Sequence, residues 1–364
     1  MKRINLLQPT YDEETKKELM EVLDSGWVTF GRKAKEFERR FAEYVGAKYA
    51  ISTNSCTSAL DLCLKVYDIR GGELITTPFT FVSDAIVGEW NDMDVTFCDI
   101  DPDTFCIDPE SLNVTEDTKA IIAVDCHGRL ADIEGIRRAC GKHNPLIIED
   151  AAHACYTPGA GKYADITVWS FQAVKTLPIF DGGMITTNDR EIYRKLRPMT
   201  WLGVEKLTHQ RIKGSKYIWD YDITTGNAIK GYMTDIQAVI GLGQLRRLEE
   251  MNNRRRHIAR MYNYAFDRYP WFKQPAWSHT VQYYTPQWIN RDGLSEHLAQ
   301  HGVHTSVHFK PLSEMTYWKK AKKNPLPNTD AVWKNLLSLP IHNALTDEEQ
   351  SFVISKVKQH YENK

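Results

Sequence analysis

Seven short runs rich in β-branched and apolar residues punctuate the first half of the chain. They are KYAIST (48–53), ELITTP (73–78), DVTFCDI (94–100), AIIAVD (120–125), LIIED (146–150), ITVWSF (166–171) and GMITTN (183–188). Runs of this length between turn-forming residues predict strands. Between several of them lie stretches with helical spacing of apolar residues, such as SALDLCLKVY (58–67) and DIEGIRRACGKH (132–143). That rhythm predicts an α/β fold, with a mostly parallel sheet between helices on both faces.

Beyond the last strand the period changes. Residues 234–266, TDIQAVIGLGQLRRLEEMNNRRRHIARMYNYAF, predict one or two long helices leaving the sheet. After the Pro- and Trp-rich PWFKQPAW, LSEHLAQHGV (294–303) predicts a helix and TSVHFKPL (305–312) a strand. TDEEQSFVISKVKQHY (346–361) predicts an amphipathic helix opened by a Thr346–Glu349 capping box. The expected organisation is a large α/β domain over residues 1–250 and a small C-terminal α+β domain over 251–364.

Composition narrows the function classes. With 364 residues the chain exceeds the usual single core, in keeping with two domains. A net charge of -1 gives no support to nucleic-acid binding or to attraction by an anionic membrane. The basic clusters Arg254–Arg256 and Lys319–Lys323 sit among acidic and polar neighbours and read as solvated surface. No apolar run approaches the roughly 18–20 residues that span a bilayer. The N-terminal MKRINLLQPTYDEE turns acidic before a signal-like core develops. Seven cysteines, from Cys56 to Cys155, lie in apolar segments without zinc-ligand spacing, as in a cytoplasmic protein with reduced, buried thiols.

Two motif fragments fail on inspection. Asp99, Asp101, Asp103 and Glu110 match the acidic positions of a calcium loop, but Thr104 replaces the obligatory glycine and Pro102 interrupts the turn. PGAGKY (158–163) lacks the first glycine of a phosphate loop and has Tyr163 where Ser or Thr must follow the lysine. No metal site is expected.

Ligands of open α/β sheets bind beyond the carboxyl ends of the strands, and the strand ends here carry chemistry. NSCTSALDL offers Asn54, Ser55, Thr57 and Ser58 at a helix start, where free N–H groups favour a phosphate. Ordinary N-capping by Ser58 with Asp61 is the plainer alternative. PFTF offers Phe79 and Phe81, either core aromatics or a face for a flat ring. Asp150 ends LIIED, as a helix cap or as the carboxylate that a protonated ring nitrogen requires. Lys175 stands alone in VWSFQAVKTLPIFDGG, where apolar surroundings lower an amine's pKa and release it for imine formation. Phosphate cradle, aromatic face, ring-nitrogen carboxylate and imine lysine are the four parts of a pyridoxal phosphate (PLP) site, and each lies near a strand end.

In that order the motifs SGWVTFGRKAKEFERRFAEYVGAKYA, NSCTSALDL, PFTFVSDAI, CDIDPDTFCIDPESL, IIEDAAHA, WSFQAVKTLPIFDGGMITTND, MTDIQAVIGLGQLRRLEEM, VHFKPL and LLSLPIH resemble the DegT/StrS-type nucleotide-sugar aminotransferases almost end to end. The resemblance implies the aspartate-aminotransferase-like fold (PLP fold type I) and a homodimer with sites at the interface. It implies PLP as cofactor, pyridoxamine phosphate (PMP) as its intermediate form, L-glutamate as donor and a nucleotide-linked keto sugar as acceptor. It places Lys175 as the imine lysine and Asp150 at the pyridine nitrogen. Cys56 and Thr57 fall at the phosphate turn with Ser170, Phe81 at the stacking aromatic, His153 near the cofactor's oxygen, and His308 in the sugar pocket. Lys230 falls where relatives send a side chain to the partner subunit's cofactor phosphate.

Departures are Cys56 for the usual glycine before the phosphate threonine, AIKGYM (228–233) for a GYxYxM segment, and Leu202-Gly203 for a His-Gly. Related sugar dehydratases that use PMP carry His in place of the lysine, against which Lys175 speaks. Cyclitol aminotransferases of the same fold are not separated by these residues. A non-catalytic PLP-binding regulator would be favoured by a fused DNA-binding domain, for which the sequence offers no leftover segment.

Overall fold

The computed structural model describes residues 3–206, 211–213, 216–217, 219 and 221–362. Met1 and Lys2 of the N-terminal stretch and the last two residues of the expected small domain lie outside the described residues.

All seven runs form strands: β1 (Tyr49–Thr53), β2 (Glu73–Thr76), β3 (Asp94–Phe97), β4 (Thr118–Val124), β5 (Leu146–Asp150), β6 (Ile166–Ser170) and β7 (Gly183–Thr187). They join one sheet in the order β1-β7-β6-β5-β4-β2-β3, and Lys322–Lys323 adds a two-residue edge beside β3. Strands β3, β2, β4, β5 and β6 run parallel. β7 is antiparallel to both β6 and β1, so β1 again points the same way as the rest. The carboxyl ends of six strands therefore reach one edge, with the start of β7 among them.

Strands β5, β6 and β7 are buried at every residue, which requires cover on both faces. On one face lie α3 (Cys56–Val66), α4 (Ser83–Trp90) and α6 (Arg190–Met199), packing Leu60, Leu64, Val87 and Leu196 against Ile122 and Ile148. On the other lie α2 (Arg32–Val45) and α7 (Asp235–Phe266), where Phe37, Phe41 and Val239 meet Trp169 and Phe171. α1 (Glu13–Asp24) lies along α7, α5 (Ile133–Ala139) precedes β5, and α9 (Pro327–Asn335) follows the edge strand.

α7 is a single helix of 32 residues, started by a Thr234–Gln237 capping box. Its later residues Ile258, Tyr262 and Phe266 enter a separate core with Trp288, Leu294, Leu298, Val353 and Val357. Leu294 and Leu298 come from α8 (Arg291–Gln300), the two valines from α10 (Asp347–Glu362). The Thr346–Glu349 capping box forms as expected, at 3.0 and 3.1 Å.

TSVHFKPL is not a strand. Ser306 makes one bridge to Ser338, then the chain turns at His308, and Pro311 has no N–H for a ladder. Leu312 instead packs back into the sheet core.

One buried ion pair ties three elements together. The Glu38 carboxylate accepts the Arg197 guanidinium at 2.9 and 2.7 Å, and the Ser52 N–H and hydroxyl at 2.8 Å each. It joins α2, β1 and α6. Arg197→Met leaves that carboxylate buried and unpaired, and should lower unfolding free energy by about 3–5 kcal/mol in denaturant titration. A loss of less than about 1 kcal/mol, as for an exposed pair, would contradict the pair's structural role.

Candidate active site

Strand order and one close approach assemble the candidate site. Gly183 opens β7 in register with Thr53 of β1 on one side and Ser170 of β6 on the other. A β-carbon on Gly183 would lie 2.6 Å from the Ser55 carbonyl and the Cys56 nitrogen. Only glycine therefore lets the start of α3 sit down onto the sheet edge. Ser55, not Ser58, caps that helix, accepting the Ser58 N–H at 3.1 Å. Asp61 instead takes the Asn91 amide at 2.9 Å and pairs with Lys65. Cys56 and Thr57 are then the first two helical residues, whose N–H groups have no intrahelical acceptor.

Asp150 ends β5 beside this turn. Its side chain is buried, accepts the Ala152 N–H at 2.8 Å, and lies 3.9 Å from the Cys56 thiol. Lys175 comes from the loop between β6 and β7, which is folded by bonds from Lys175 N–H to the Gln172 carbonyl (2.8 Å) and from Ala173 N–H to the Phe180 carbonyl (3.2 Å). From the small C-terminal core, the Gln282 side-chain amide clamps the Val174 carbonyl at 2.8 Å. Burial pushes the Lys175 amine below its ordinary range, while Asp150, the Cys56 thiol and Asp84 pull the other way.

Three imidazoles close the far side. His153 accepts the His127 N–H at 3.3 Å and lies nearly parallel to Phe309, with centroids 5.9 Å apart. His308 stacks on Tyr283 at 3.8 Å and meets the Ser338 hydroxyl at 2.8 Å. Burial, then the Lys175 charge, pushes His308 down to about 3. Burial likewise drives His127 and His153 well below the imidazole range, so all three are neutral at pH 7.

This arrangement has the donors, the anion and the nucleophilic amine that a phosphorylated pyridine aldehyde needs. A family model described as the DegT/DnrJ/EryC1/StrS aminotransferase family matches residues 9–358. The chain belongs to that family. SpsC of Bacillus subtilis, a spore coat polysaccharide biosynthesis protein, is 36% identical over 96% of this chain and 95% of its own. Among solved structures, the PLP form of Spr1654 from Streptococcus pneumoniae is 30% identical with a TM-score of 0.90, covering 100% of this chain and 99% of that one. Its PMP form is 29% identical, also at 0.90, covering 98% and 99%. The sugar aminotransferase CalS13 from Micromonospora echinospora is 26% identical at 0.88, covering 98% and 99%. The fold is thus the type I fold of PLP aminotransferases.

Within this aminotransferase, Cys56, Thr57, Asp150, His153, Ser170, Lys175 and His308 lie around the strand-end edge. Phe79 turns inward among Phe105, His127 and Phe309, whereas Phe81 is 61% exposed just ahead of α4. Lys230 is exposed, its Nζ 5.3 Å from the Trp201 ring centroid, and the next residue, Gly231, accepts the Asn54 N–H at 2.7 Å beside the start of α3. Tyr232 packs inside its own chain, its hydroxyl 3.0 Å from that of Thr29. The acidic positions of the failed calcium loop have other work: Asp99 accepts the N–H groups of Asn328 and Thr329, and Asp101 those of Asp103 and Thr104.

Two residues escape sequence reasoning. His127 is a lone histidine after β4, and Asp84 resembles any acidic residue in a first helical turn; both are fully buried beside the site. A polar residue just past an apolar strand was the available signal for His127.

His308 should stay neutral throughout pH 5–8. NMR of labelled histidine, assigned with a His308→Asn variant, should show no His308 titration in that window. A midpoint between 5 and 7 would contradict the desolvated stack.

Proposed function

We propose that this aminotransferase uses PLP, with PMP as its alternate form, to move the amino group of L-glutamate to the keto group of a nucleotide-linked 4-keto-6-deoxy sugar. The observation that carries this is the Lys175 amine, held below its ordinary pKa beside the buried Asp150 carboxylate. The PLP and PMP forms of Spr1654 support the cofactor, while CalS13 and SpsC support a sugar acceptor.

PLP, when bound, supplies an electron sink for charge left at the donor's α-carbon. The α3 amides of Cys56 and Thr57, with the Thr57 and Ser170 hydroxyls, hold its phosphate. Asp150 keeps its ring nitrogen protonated, and Phe81 covers one face. His153, neutral, orients its ring oxygen. Lys175 Nζ would hold the cofactor at rest, and its free amine would take the donor's α-proton as general base. His308, fixed by Tyr283 and Ser338, lines the sugar side. The domain division near residue 250 sets this pocket between the sheet edge and the C-terminal core. A homodimer would present Lys230 to the partner's phosphate. Seven free cysteines fit a reducing cytoplasm. Among the described residues no helix is long and apolar enough to cross a membrane.

A dehydratase reading lacks its histidine, since Lys175 occupies that place. PLP-loaded protein given L-glutamate should release one 2-oxoglutarate per site. Lys175→Ala should slow that release by on the order of 10²-fold or more. Release by the variant at the wild-type rate would overturn the assignment of Lys175. No release by the wild type would overturn glutamate as donor.

A further inference from the structure

Asp84 is the second residue of α4, and its side chain is completely buried. An aspartate in a first helical turn ordinarily accepts helix N–H groups or faces water. Asp84 does neither: Oδ2 accepts the Thr80 hydroxyl at 2.5 Å, and Oδ1 receives no hydrogen bond from the described residues. The charged group that acts on it most strongly is Asp150, a second carboxylate within hydrogen-bonding reach. Two ionised carboxylates in contact offer each other only acceptors, and like charges withdrawn from water do not both persist. One proton between them removes both conflicts.

We propose that Asp84 is a positioning residue: a neutral carboxylic acid that donates its proton to Asp150 as a hydrogen bond, so that the pair presents one directed negative charge to the cofactor's ring nitrogen. The cofactor half of this rests on the reading of Asp150 as that nitrogen's partner. The surroundings decide which acid keeps the proton. Asp150 already has the Ala152 N–H, whereas Asp84 has only the Thr80 hydroxyl. Burial and then the Asp150 charge drive Asp84 well above the carboxylate range, with Thr80 and Lys175 opposing. The Cys56 thiol at this corner is itself pushed up by burial and by both carboxyls, so it adds no charge; Asp125 and Glu149, which also face Asp150, are pushed up first by burial.

A neutral Asp84 also spares Lys175. An ionised Asp84 would pull the lysine's pKa upward, adding to the pull of Asp150. The proton on Asp84 therefore serves both ends of the site, fixing Asp150 and leaving Lys175 easier to deprotonate.

Infrared spectra of the cofactor-free protein at pH 7 test the protonation directly. The wild type should show a protonated-carboxyl band that shifts in D2O and is missing in Asp84→Asn. PLP titration then tests the role. Asp84→Asn keeps a neutral donor and should hold PLP within about threefold of wild type, with an unchanged pH midpoint of the lysine-bound cofactor's visible band. Asp84→Ala removes the donor and should weaken PLP by about tenfold or more. Absence of the band, or an Asn variant as weak as the Ala variant, would overturn the proposal. If Asp84→Ala does not fold, the band and the Asn variant still decide. A wild type with the band but no affinity for PLP would overturn the reading of Asp150 and this role with it, leaving only the shared proton.

Discussion

Withdrawing the Lys175 amine from water works against its charge, and much of the surrounding architecture can be read as the terms on which that is done. Solvent would hold a lysine protonated at neutral pH, with no lone pair for a carbonyl or for an α-proton. The loop between β6 and β7 instead brings it to a corner where burial opposes the charge and Asp150 partly restores it. A fully apolar corner would exclude the amine, and a more acidic one would fix its proton. The balance depends on how many negative charges the neighbouring carboxyls carry, which is why the protonation of Asp84 matters.

That corner exists because of the sheet. Six strands end on one edge, and β7 enters antiparallel between β6 and β1, so the loop bearing Lys175 must return over the same edge. Gly183 lets the first residues of α3 sit directly against the start of β7, next to the loop that carries Lys175. The Glu38–Arg197 pair holds β1, α2 and α6 in the positions this approach requires. Membership of the DegT/DnrJ/EryC1/StrS aminotransferase family agrees with a geometry built around an amine rather than a metal or a nicotinamide.

The strands were legible because each is a compact β-branched run whose burial on both faces leaves a strong compositional mark. The capping box at Thr346 was legible because it is a local exchange of two hydrogen bonds. TSVHFKPL misled because alternation alone cannot show that Leu312 belongs to a different core from the residues before it. The cap on α3 shifted to Ser55 because two serines three residues apart offer the same local signal. Asp84 was invisible for a deeper reason. Its meaning comes from Asp150, 66 positions later in the sequence and on another strand's end, and no local pattern encodes that meeting.

If the reading of this corner is right, Lys175 and none of the chain's other lysines is the amine that holds the cofactor. Borohydride reduction of the PLP-loaded protein, followed by proteolysis and mass mapping, tests it directly. One phosphopyridoxyl group per chain is expected, on the peptide containing Lys175. A label on Lys230, Lys310 or another lysine, with Lys175 unmodified, would contradict it.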